Sequence, residues 1–95
     1  MRIYKYYLKI EDYQVLQMPK GSRVLSVGNQ RGNLCLWAVG DQDKPVSLRA
    51  FEIFGTGNPI SEDRTIERTF IGTAIVEPLV WHVFETTKKR PVKTC

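Results

Sequence analysis

From residue 22 to residue 54 the chain is a series of short apolar runs separated by glycine, asparagine and aspartate, with no helical period. Ser22-Arg23-Val24-Leu25-Ser26-Val27 runs into the polar Gly28-Asn29-Gln30-Arg31-Gly32-Asn33. Leu34-Cys35-Leu36-Trp37-Ala38-Val39 follows, then a charged connection, then Leu48-Arg49-Ala50-Phe51-Glu52-Ile53-Phe54. Apolar runs of strand length bounded by turn residues specify an all-β chain.

The same pattern covers the rest of the sequence. Strands are expected at residues 3–10, 13–18, 23–27, 34–39, 48–54, 69–76 and 79–85. In the first, Tyr4, Tyr6, Leu8 and Ile10 share the inner face. Residues 23–27 and 34–39 form the clearest hairpin, with Gly28, Asn29, Gly32 and Asn33 tolerating the positive φ of a tight loop. Trp37 lies in an almost continuously apolar strand, which implies burial on both faces or an exposed aromatic patch. Residues 61–68 lack an apolar stripe and read as a loop. Six or seven short strands with turns every ~8–12 residues indicate a small antiparallel barrel or sandwich. The expected organisation is one β domain over residues 1–87 and a basic flexible tail over 88–95.

The net charge is +4. Lys88, Lys89, Arg90 and Lys93 lie in the last eight residues, which leaves ten basic and ten acidic residues in the preceding 87. The basic excess is therefore assigned to the tail and not to a folded basic face, which argues against strong nucleic-acid binding. Those four tail residues are candidates for nonspecific phosphate contact, so any nucleic-acid binding should be weak. Cys35 inside a strand and Cys95 at the end make neither a disulfide framework nor a metal-ligand set. There is no apolar run of transmembrane length and no secretory core. We expect a cytoplasmic chain with no membrane partner, metal or cofactor.

The candidate ligand loop is Gly55-Thr56-Gly57-Asn58-Pro59. Two glycines around a hydroxyl can turn backbone N–H groups toward an anion, and Thr56 and Asn58 add side-chain bonds. No Walker lysine follows, and the plainer reading is a turn that needs positive φ. Arg49 is the candidate cation for a phosphate-bearing ligand and is expected near the loop. His82 completes the candidate set. It is the single histidine, alternates with Val80 and Phe84, and has no acid–base partner nearby in sequence. No catalytic constellation assembles, so no enzyme activity is expected.

Several segments carry a family likeness: Ile3-Tyr4-Lys5-Tyr6, Met18-Pro19-Lys20-Gly21, Val24-Leu25-Ser26-Val27, Leu34-Cys35-Leu36-Trp37-Ala38, Gly55-Thr56-Gly57-Asn58-Pro59-Ile60 and Trp81-His82-Val83-Phe84-Glu85. In this order, from Met1 to about Glu85, the chain resembles a family of short, uncharacterised bacteriophage and prophage proteins with a domain of unknown function. The resemblance implies an accessory protein of the host bacterial cytoplasm and transfers no catalytic residue. It supports the expectation of a non-enzymatic inhibitor that sequesters a host protein or a small nucleotide-type ligand, an anti-defence role included. A small β-barrel that binds nucleic acid and a virion structural or assembly accessory are the competing classes. A self-associating sheet edge would serve the virion accessory and also a homo-oligomeric inhibitor.

Overall fold

In the computed structural model, which describes residues 1–89, the apolar runs become seven antiparallel strands: β1 (Arg2–Tyr7), β2 (Tyr13–Pro19), β3 (Arg23–Gln30), β4 (Asn33–Gly40), β5 (Val46–Gly55), β6 (Arg68–Val76) and β7 (Leu79–Thr86). They form two sheets, one in the order β1-β4-β3 and the other in the order β2-β5-β7-β6. The sheets face each other without closing into a barrel, so the fold is a sandwich.

Period-2 alternation places the core between them. Leu34, Leu36 and Ala38 of β4 meet Phe51 and Ile53 of β5, Val83 of β7, Ala74 of β6 and Met18 of β2. All are buried, and Phe51 and Val83 are completely enclosed. Truncating a ring such as that of Phe51 costs about 3–5 kcal/mol, since a well-packed site collapses only partly.

β3 packs against β6 where the two sheets approach. A Cβ on Gly72 would meet Val27 Cγ2 at 3.0 Å, so the glycine lets the two edges close up. Both strands carry a register irregularity here, between Val24 and Ser26 and between Phe70 and Gly72. Asn29 Nδ2 donates to the Ile75 carbonyl across the same seam at 2.9 Å.

Two local expectations change. The first strand ends at Tyr7, and Ile10 is exposed instead of facing inward. The chain crosses between the sheets from Leu8 to Asp12. There the buried Gln14 side chain accepts a hydrogen bond from Lys9 N and donates one to Lys9 O. The β3–β4 turn is also tighter than expected. Gly28 and Asn29 lie in β3, the ladder continues to the pair Gln30–Asn33, and the positive-φ residues are Arg31 (54°) and Gly32 (83°). A two-residue turn of this hand matches the twist of the flanking strands.

Arg90 and Lys93 lie outside the described residues. Lys88, expected at the start of a flexible tail, is held by Tyr13, whose hydroxyl donates to the Lys88 carbonyl at 2.8 Å.

Candidate functional site

The candidate residues fall into two groups. At one end of the four-stranded sheet, β5 stops at Gly55 because residues 55–58 make a hydrogen-bonded turn. Asn58 N donates to Gly55 O at 3.0 Å, and Gly57 takes φ 90°. Thr56 N donates to Val80 O. Two of the loop's N–H groups are therefore spent on carbonyls, which weakens its use as an anion cradle. The loop does reach His82. Thr56 Oγ1 is hydrogen-bonded to His82 Nε2 at 2.8 Å, and Thr73 Oγ1 to Nδ1 at 2.9 Å. His82 and Thr73 are directly paired across β6 and β7. Sequence spacing hid this cluster because its three residues lie on separate segments.

Arg49 does not join this loop. Its guanidinium is bound to Glu85, with Nη2 to Oε1 at 2.8 Å, while Nη1 donates to the Ser22 carbonyl at 2.6 Å. Hydrogen bonding to Glu85 holds Arg49 above its ordinary pKa, against a smaller opposing effect of burial. Arg49 instead lines a groove of about 720 Å³ with Tyr13, Leu48, Ala50, Lys88 and Lys89. Three sequence-selected cations thus share a concavity away from the glycine loop.

A second ion pair lies on the outer side of the same sheet. Arg68 Nε donates to Glu52 Oε1 at 2.8 Å, and Arg68 Nη1 to Ser61 O. Burial would raise the Glu52 pKa, but hydrogen bonds with Arg68 and Thr86 outweigh it and hold the carboxyl below its usual range.

The three-stranded sheet presents the most distinctive surface. On its outer face the register aligns Ile3, Val39 and Arg23 in one row, Lys5, Trp37 and Ser26 in the next, and Tyr7, Cys35 and Gly28 in the third. Tyr7 is 60% exposed and Trp37 half-buried. A Cβ on Gly28 would meet Trp37 Cζ3 at 3.3 Å, so the glycine makes room for the indole to reach over β3. Lys5 Nζ lies 4.8 Å from the Tyr7 ring centroid and donates to Gln30 Oε1 at 2.7 Å.

Residues 1–10 and 20–40, which build this sheet and its flanks, contain six basic and no acidic side chains. All ten acids lie elsewhere, those nearest β4 being Asp41 and Asp43 beyond its end. The neutral total of the first 87 residues thus averages over an acid-free sheet whose outer face carries Lys5 and Arg23, a local grouping of cations that the total does not show. The acid-free stretch from Tyr13 to Gly40 was the legible signal; averaging charge over the domain removed it.

Fold and surface together define an all-β sandwich with one cationic, aromatic sheet face. A family model described as a domain of unknown function (DUF7352) matches residues 1–94, and the chain belongs to that family. The match extends past Glu85 through most of the basic stretch. No curated protein and no solved structure matches the chain significantly.

Proposed function

We propose that this protein is a non-enzymatic binding protein acting by stoichiometric occupancy, with the outer face of the β1-β4-β3 sheet as its working surface. One observation carries the reading: Trp37 and Tyr7 share a face with Lys5 and Arg23 on strands that contain no acid. Aromatic rings supply contact area at low entropic cost, and uncompensated cations select an anionic partner. The likeness to bacteriophage and prophage chains supports a finer version, in which the protein sequesters a component of a bacterial host in its cytoplasm and blunts a host process, antiviral defence among them.

The test is paired capture. Immobilised wild type and a Lys5→Glu/Arg23→Glu variant are exposed to the same bacterial lysate, and retained proteins, nucleic acids and small molecules are quantified. We expect an anionic component retained by the wild type and lost by the variant. Identical recoveries end this reading.

The groove lined by Arg49, Lys88 and Lys89 favours a second reading, capture of a small phosphate-bearing ligand. Calorimetry with a nucleotide and cyclic-nucleotide panel tests it on wild type and Lys88→Ala/Lys89→Ala. Absence of binding across the panel removes it.

A further inference from the structure

We propose that the outer face of the β1-β4-β3 sheet binds single-stranded nucleic acid by base stacking. This rests on the reading of that face as the working surface and adds the class of its partner.

The geometry first selects a ligand with exposed π-faces. Trp37 is central, opposite Lys5 on β1 and Ser26 on β3. Tyr7 lies one row away on β1, so it is a diagonal neighbour of Trp37. Diagonal positions of this kind are about 7–8 Å apart, which gives consecutive unstacked bases a ring each. In a duplex the bases are stacked on one another and present edges, not faces, so a sheet surface carrying two aromatic rings suits a single strand.

The charges then select a polyanion. Lys5 is held beside Tyr7 and Gln30, with no carboxylate among its partners in the described residues. Arg23 is exposed in the row beyond Trp37. Arg31 extends the basic surface at the tip of the β3–β4 hairpin, where it adopts φ 54°. Asparagine or glycine takes that conformation at lower cost, so an arginine there is a local expense that a phosphate contact would explain. An acidic peptide would use the same cations but has no need of the two rings.

The experiment is fluorescence anisotropy with labelled fifteen-nucleotide oligo(dT) and oligo(U), a duplex of equal length, and poly-glutamate. Wild type is compared with Tyr7→Ala, Lys5→Glu, Trp37→Phe and, as a control in the β4–β5 connection, Lys44→Glu. Circular dichroism confirms that each variant is folded. We expect micromolar binding of the single strands and at least tenfold weaker binding of the duplex. The salt dependence should have a slope of about −2 in log K against log salt, as for roughly three phosphates. Tyr7→Ala and Lys5→Glu should each weaken binding about tenfold, Trp37→Phe should retain most of it, and Lys44→Glu should change it less than about twofold.

Single-strand binding that ignores Tyr7→Ala and Lys5→Glu, or that vanishes only when Lys88, Lys89, Arg90 and Lys93 are changed to glutamine, overturns the inference. Binding of poly-glutamate but not oligonucleotides, lost with Lys5→Glu and kept with Tyr7→Ala, overturns the nucleic-acid assignment while leaving the working surface intact. Binding of neither polyanion overturns both.

Discussion

Lys5 stands directly opposite Trp37 across the β1–β4 ladder, and its ammonium turns toward Gln30 and the Tyr7 ring. Interaction with Tyr7 raises the Lys5 pKa above its ordinary value, which already lies above the physiological range. Cation and aromatic therefore coexist on one face with no neutralising acid on the sheet's own strands. That combination is uncommon on a surface whose only task is solvation, where charges of both signs are interspersed.

The position of Trp37 depends on Gly28. A Gly28→Val substitution should push the indole away from β3, because even a Cβ already meets the ring at 3.3 Å. We expect a red shift in tryptophan emission and a loss of about 1–3 kcal/mol, the usual range for overpacking. Denaturant melts followed by fluorescence check both; an unchanged spectrum and midpoint would show that the contact relaxes freely.

Arg31 is strained at φ 54°. Replacing it with asparagine should stabilise the fold by roughly 0.5–1 kcal/mol, as the left-handed turn position becomes easier to occupy. If the sheet face works as proposed, the same variant loses affinity for a polyanion while gaining stability. A shift of the unfolding midpoint to lower denaturant would contradict the strain argument.

The Glu52–Arg68 pair makes stability acid-sensitive. The folded pKa of Glu52 lies below its unfolded value, so the associated stability is fully present above about pH 4.3 and is lost as pH falls through the folded pKa. Glu52→Gln should flatten this acid dependence. Glu52→Ala should cost about 3 kcal/mol at neutral pH by leaving a poorly exposed guanidinium without its carboxylate. Thermal melts between pH 3 and pH 7 give both quantities.

The turn after β5 needs Gly57 for its φ of 90°. Gly57→Ala should cost about 1–2 kcal/mol. Thr56→Ala removes one of the two bonds that hold the His82 ring, and we expect a change of about 1 kcal/mol or less, because the site is exposed. Equilibrium unfolding of the two variants separates the backbone effect from the side-chain effect.

Much of the fold was legible because its determinants are local. Alternation and turn residues place all seven strands within a few residues of their observed bounds. Gly28 and Asn29 resemble turn residues but serve the ladder: one admits Trp37, and the other bonds to Ile75 across the sandwich. Ile10 is exposed because the chain leaves the sheet after Tyr7 and crosses to the other sheet, a change that period-2 alternation does not encode.

The candidate sites divide along the same line. Thr56 and Gly57 were visible in a recognisable turn, and Trp37 was visible as an aromatic with two possible environments. Sequence alone determined the class, the strands and the supply of charge, because strand propensity and period act over a few neighbouring residues. Only the tertiary structure decided that Arg49 is matched to Glu85, that Thr56 and Thr73 flank His82, and that Lys5, Tyr7 and Arg23 share a face with Trp37. These relations join residues from different strands, and the order and register of the sheets, which no local pattern encodes, set which of them meet.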